Sequence, residues 1–327
     1  MNKDLYLEDQ KEGGKFFSKI GFTFIVITFA TIVFQVILMS LMELFSIDMV
    51  STNGDIIVGL SVSVVQIIFF ILLMKNNESF HIEKNKMSIL AFIGCIFVSF
   101  ALVFIGDLIG TLLTDFIGNS LNSPVTNPVS EMIEESDIWS NVLLIVIFAP
   151  VFEELLFRKL LIDKTMKYGG FVSIIFSATL FGFFHGNFTQ FFYAFLLGGF
   201  FALIYVKTGY IWYTIILHGI INFFGSILSG MLNSFFETNM SQDLTNTTIN
   251  QIMLNINDYL GYFISIAINI FFYLMIIIGV ILILYYFRKI KLPEGDIKLK
   301  KSLLFLNPGM ICFLLLYLFV MVLSIFS

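Results

Sequence analysis

Charge is scarce in this sequence. Only 13% of its 327 residues are Asp, Glu, Lys or Arg, while 58% are hydrophobic. A soluble domain carries about 25% charged residues, so an integral membrane protein is expected and no nucleic-acid partner is. Cysteine is almost absent. The 2 that occur, Cys95 and Cys312, both lie inside apolar runs, which points away from a disulfide framework or a cysteine metal motif. Proline is nearly as rare, with 5 residues against 41 phenylalanines. Residues 1–15 are polar and have no Arg-rich transit pattern. The apolar run that follows is too long for a cleavable signal peptide and lacks a small-residue cleavage site, so it reads as a retained first span.

Windows of about 20 apolar residues mark membrane spans. Nine are read, near 16–42, 55–74, 87–113, 138–160, 171–186, 188–206, 210–234, 259–287 and 303–326. Lysine and arginine are missing from every second connection. All 18 fall before span one or after spans two, four, six and eight, whereas 43–54, 114–137 and 235–258 carry none. This is the positive-inside pattern. It predicts an all-α, polytopic membrane helix bundle of eight or nine spans with a cytoplasmic N-terminus. The loops 118–137 and 235–257 read as exposed connections, each with room for one interfacial helix. Residues 1–137 form an N-terminal set of spans, 138–234 a central core and 235–327 a C-terminal set.

Against this greasy background a few polar groups stand out. The run Ala149-Pro150-Val151-Phe152-Glu153-Glu154-Leu155-Leu156-Phe157-Arg158 puts three charges into a span. One such charge near the bilayer centre costs roughly 2.5 kcal/mol or more. Glu154 and Arg158 are four apart, in the acid-first order that pairs well on one helix face. Glu153 sits about 100° round the helix and is left available. Pro150 removes a backbone bond and opens the preceding turn. Of the 3 histidines, His81 lies in a Lys-rich loop, but His185 and His218 lie in apolar runs. His218 and Asn222, four apart, share a face. A lone polar residue in a span is more often packing glue; six together on three helices default to function.

Depth leaves a discrepancy. Glu153 falls roughly 10–12 Å from the inner end of span four, and His218 roughly 12 Å from Tyr210. His185 comes out nearer ~21 Å from Phe171. The expectation is that span five begins deeper than drawn, after the Gly169-Gly170 break.

One carboxylate and two imidazoles support two kinds of hydrolysis. Glu153, His185 and His218 are the two-His-one-carboxylate set of a catalytic zinc site, although the His-Glu-x-x-His spacing is missing. Without metal, Glu153 and His185 would deprotonate a water while His218 and Asn222 donate to the developing oxyanion. No serine or cysteine adjoins the histidines as a nucleophile.

Taken in order, Glu153-Glu154-x-x-x-Arg158, Phe181-x-x-x-His185 and His218-x-x-x-Asn222 resemble the CPBP family of intramembrane endopeptidases. That family is related to the type II CAAX prenyl proteases and the bacterial abortive-infection (Abi) proteins. The resemblance covers roughly residues 140–225. It implies Glu153 as the water-activating glutamate, His185 as its partner, His218 and Asn222 as oxyanion stabilisers, and Glu154 and Arg158 as supports. Family members have been described both as metalloproteases and as metal-independent glutamate proteases. The expectation here is no cofactor, with zinc on Glu153, His185 and His218 as the alternative. The implied partners are the lipid bilayer and a membrane-associated peptide or protein substrate. The Ile/Phe/Asn/Lys-rich composition fits a multi-pass protein of a bacterial plasma membrane. A non-enzymatic transporter or immunity protein is the competing class, since buried acids and histidines also mark ion pathways. Against a transporter stands the absence of paired interrupted helices that would mark inverted repeats.

Overall fold

A computed structural model describes residues 3–47, 52–123, 125, 137–228 and 249–326. The middles of the expected outer loops, with the interfacial helices anticipated there, lie outside the described residues. In lipid every backbone polar group must be satisfied within its own segment, which leaves helices as the open-chain solution. Most of the described residues are helical, and no strand occurs among them. In chain order the helices are α1 (Lys3–Leu44), α2 (Thr52–Met74), α3 (Ile89–Leu121), a composite α4 (Ile138–Tyr168), α5 (Gly170–Phe184), α6 (Phe188–Thr208), α7 (Ile211–Asn222), α8 (Ile249–Tyr286) and α9 (Pro308–Leu323). A π-helical turn, Phe223–Leu228, continues α7. Among the described residues seven helices are long and apolar enough to cross a membrane, while α5 and α9 are apolar but shorter. The protein is an all-α, polytopic membrane bundle.

Polar side chains start several helices. The Ser88 hydroxyl accepts from Ala91 N–H, Asp137 from Trp139 and Ser140 N–H, Asn187 from Gln190 N–H, and Asn307 from Met310 N–H ahead of Pro308. These side chains meet donors that the first helical turn leaves orphaned.

Besides α3 running on to Leu121, α8 beginning at Ile249 and α9 beginning at Pro308, two boundaries differ from expectation. Helix α1 already begins at Lys3, so the polar N-terminal stretch extends the first span. Helix α4 does not end near Leu160 but continues through Leu161–Thr165 and Met166–Tyr168. This second difference corrects the depth reading. Helix α5 starts at Gly170, where the sequence placed it. The discrepancy arose because α4 is eight residues longer, roughly 12 Å at 1.5 Å per residue. Ser177 Oγ donates to the Phe157 carbonyl at 2.9 Å, which sets the register of α5 on α4. The His185 ring then folds back one turn, its Nδ1 2.8 Å from the Phe181 carbonyl.

The main core is aromatic and draws on all three stretches of the chain. Phe17 and Phe24 of α1, Phe70 of α2, Phe157 of α4, Phe176 and Phe181 of α5 and Phe313 of α9 are buried together. Phe157 stacks on Phe24 with centroids 5.5 Å apart and meets Phe181 edge-on at 5.1 Å. At one end of the bundle the basic connections interlock. Lys19 and Lys164 both donate to Asn77, at its side chain and carbonyl respectively. Phe80 N–H reaches the Asp163 carbonyl, and Asn85 N–H the Thr208 carbonyl. Gln10 donates to the Lys298 carbonyl and accepts from Lys300 N–H, 2.8 Å each.

Helices α1 and α9 touch through glycine. A Cβ on Gly309 would collide with the Ser18 carbonyl, and one on Gly21 with the Gly309 backbone. Neither neighbour is a flexible side chain. We predict that Gly309→Val lowers the melting temperature in detergent by an amount corresponding to about 1–3 kcal/mol. Leu315→Val on the exposed face of α9 is the control; equal melting of the two variants would show that the close approach is unimportant.

Candidate active site

Composite helix α4 carries the carboxylates in an unusual setting. Glu153 and Glu154 sit at the end of a six-residue α segment, Ala149–Glu154, flanked by π-helical stretches Val142–Phe148 and Leu155–Leu160. A π stretch adds a residue to the turn and is commonly found at functional sites. Here Pro150 opens the α segment, and the helix before it has widened.

The ion pair read from the four-residue spacing is present and fully enclosed. Arg158 Nη2 donates to Glu154 Oε1 at 3.1 Å. Arg158 Nε approaches Glu154 Oε2 at 2.9 Å, with both side chains 0% exposed, although this second contact is too poorly aligned to count as a hydrogen bond. Arg158 Nη1 also donates to Ser177 Oγ at 3.2 Å. The guanidinium lies 4.5 Å from the Phe181 ring centroid. The cation is therefore met by a carboxylate, a hydroxyl and a π surface.

His218 joins the pair from α7. Its Nδ1 is 3.1 Å from Glu154 Oε1, and a carboxylate held against a guanidinium accepts, so Nδ1 is the donor. That leaves Nε2 pointing at Glu153, 3.8 Å from Oε2. The distance is too long for a direct hydrogen bond. Glu153 Oε2 is buried and has no hydrogen-bond partner among the described residues, yet its side chain as a whole is 29% exposed, against 0% for Glu154. One glutamate is sealed into the framework. Its neighbour keeps an uncommitted oxygen beside an imidazole.

His185 arrives from the C-terminal end of α5. Its Nδ1 must donate to the Phe181 carbonyl, because that oxygen only accepts. In the neutral ring Nε2 is then the basic nitrogen. Both imidazoles meet the same phenyl ring edge-on: Phe181 lies 4.8 Å from His185 and 6.0 Å from His218, centroid to centroid. Arg158, His185 and His218 thus surround Phe181, with Glu154 beside the first and last of them and Glu153 beside His218. Asn222 is placed otherwise, with its Nδ2 donating to the Ile145 carbonyl at 2.8 Å.

Two participants went unread in the sequence. Ser177 precedes Phe181 and His185 at four-residue intervals, so helical spacing alone could have put it on their face. Phe201, whose ring centroid is 5.6 Å from His218, carries no such signal among so many phenylalanines.

A zinc ion would draw on the donors already described. Both histidines hold Nδ1 and leave Nε2 outward, as metal-bound histidines do. Among the described residues, however, no three of His, Cys, Asp and Glu converge closely enough to hold a metal ion. Glu153, His185 and His218 are therefore not assembled as a three-ligand site in this arrangement.

Residues 135–224 match the family model described as type II CAAX prenyl endopeptidase Rce1-like. The matched stretch contains every polar group described above, from the glutamate pair to Asn222. The similarity is confined to this stretch, in a protein whose described helices include seven long and apolar enough to cross a membrane. No curated protein and no solved structure matches the chain.

Arg158 has an enclosed partner, so deleting it strands a buried carboxylate. We predict that Arg158→Ala costs about 3–5 kcal/mol, read as a large fall in melting temperature in detergent. Arg158→Lys keeps the charge but loses the fork that reaches Glu154 and Ser177 together, and it should melt in between. A fully stable Arg158→Ala protein would show that the pair does not hold the helices.

Proposed function

We propose that this protein is an intramembrane endopeptidase that hydrolyses a peptide bond in a membrane-associated protein or peptide, without a metal. The observation that carries the reading is the uncommitted Oε2 of Glu153, buried and 3.8 Å from His218 Nε2. A carboxylate oxygen with no protein partner is where a water would be held and deprotonated. Glu153 is the general base. His185, with Nδ1 tied to the Phe181 carbonyl, offers Nε2 to the same water.

The attack places negative charge on the former carbonyl oxygen. His218 answers that charge through Nε2. With Nδ1–H committed to Glu154, Nε2 donates only when the ring is protonated, and the buried Glu154 carboxylate is placed to hold an imidazolium. Asn222 has two amide hydrogens, one engaged on Ile145; the second is the further oxyanion donor. Glu154 and Arg158 keep His218 in its tautomer and orientation. The proton taken by Glu153 is then available to the leaving amine. We place the protein in a bacterial plasma membrane, with its N-terminus and basic connections on the cytoplasmic side, following the positive-inside pattern.

The test uses purified protein in detergent with a fluorescence-quenched peptide ending in a farnesylated CAAX motif, beside its myristoylated, unprenylated counterpart. Cleavage is mapped by mass spectrometry. Glu153→Gln should reduce turnover by roughly 100-fold or more while the melting temperature stays near that of the wild type. Cleavage at the wild-type rate in that variant would remove the general base. In the same assay EDTA should leave the rate unchanged. Loss of activity on chelation, restored by zinc, would overturn the metal-free reading.

A further inference from the structure

Proline has no backbone N–H, and Pro150 interrupts a specific series of bonds. In the π stretch Val142–Phe148 donors reach back five residues, and the next donor, Ala149 N–H, bonds to the Leu144 carbonyl. The following donor would be residue 150 and its acceptor Ile145. The Ile145 carbonyl therefore loses its main-chain partner to the proline. Asn222 Nδ2, from another helix, donates to this carbonyl at 2.8 Å. A carbonyl oxygen only accepts, so the amide nitrogen is the atom that faces it.

A second contact points to the same place. In ordinary α-helical register an N–H at residue 150 would serve Val146. Gly219, three residues before Asn222, lies against that carbonyl; a Cβ there would come within 2.9 Å of the oxygen. Helix α7 thus presents an amide to the carbonyl that Pro150 leaves without a donor and a bare backbone to the carbonyl next to it. Four residues before Asn222 on α7, His218 meets Glu154.

We infer that Asn222 is a positioning residue whose amide supplies the donor missing at Pro150, locking α7 against the bend of α4 three residues before Glu153. The lock sets the height of His218 against both glutamates. Without it the Ile145 carbonyl is left unpaired, the π stretch is free to rewind, and Glu153 Oε2 moves relative to His218 Nε2. The contact itself rests on geometry alone. Its consequence for cleavage rests on the role proposed for Glu153.

The inference is tested by a double-mutant cycle, because Pro150→Ala restores the missing N–H and makes the amide redundant. Wild type, Asn222→Ala, Pro150→Ala and the double variant are compared for melting temperature in detergent. They are also compared for kcat and KM on the quenched farnesylated peptide, or on the myristoylated one if that is the peptide cleaved. Asn222→Ala alone should lower the melting temperature and reduce kcat roughly ten-fold or more, with KM little changed. In the Pro150→Ala background the same substitution should lower the melting temperature far less, a coupling expected only of groups that share a partner, and its kcat cost should shrink to the share that the oxyanion amide itself carries. If Asn222→Ala does not fold alone, recovery of folded protein in the double variant is the supporting result. Equal melting-temperature losses in both backgrounds, or no recovery, overturn the inference and leave Asn222 as an oxyanion donor only. If the wild type cleaves neither peptide, the protease reading fails while the melting cycle still decides the lock.

Discussion

The structure depends on a cation and an anion that have nowhere else to go. Arg158 and Glu154 are wholly enclosed in an apolar bundle, where either alone would be expelled or neutralised. Their contacts bind three helices: α4 supplies both charges, α5 adds the Ser177 hydroxyl and the Phe181 ring, and α7 brings His218. Because the pair uses up Glu154, the adjacent Glu153 faces elsewhere and is spared. An inert pair and an available acid one residue apart follow from the roughly 100° that a helix turns per residue.

Around that pair the backbone departs from regular helix where the site needs it. Two π stretches bracket Glu153 and Glu154, and Pro150 stands at the start of the short α segment between them. A regular helix would expose no carbonyl to a neighbour. The proline frees one, and an amide on α7 takes it. Polar groups on the main chain and side chains therefore join α4 to α7 at two heights. Aromatic packing through Phe24, Phe157 and Phe181 braces the same region from α1 and α5.

Much of this was legible in the sequence, for identifiable reasons. Long apolar runs separated by lysine-bearing or lysine-free connections outline the helices, because lipid permits so few other structures. Glu154 with Arg158 and His218 with Asn222 were visible as four-residue repeats. The length of α4 was not. Its last turns, Leu161–Tyr168, mix Asp163, Lys164 and Lys167 with apolar residues and look like a loop, yet Asp163 is capped by the Tyr205 hydroxyl at 2.7 Å and stays helical. The first π stretch left no mark in side-chain pattern, since Val142–Phe148 is uniformly apolar. The partner of Asn222 was hidden for a different reason. It is a main-chain oxygen, detectable only by asking which carbonyl Pro150 deprives and which helix passes it.

The central claim is that two intramembrane imidazoles are held by Nδ1 and that His218 turns its Nε2 toward Glu153. With three histidines in the chain, 15N-histidine NMR of the protein in detergent or lipid can observe each ring. The structure predicts protonated Nδ1 in both His185 and His218, with the His218 Nδ1 resonance shifting when Glu154 is replaced by Gln. A His218 ring protonated only at Nε2, indifferent to the residue at position 154, would contradict it.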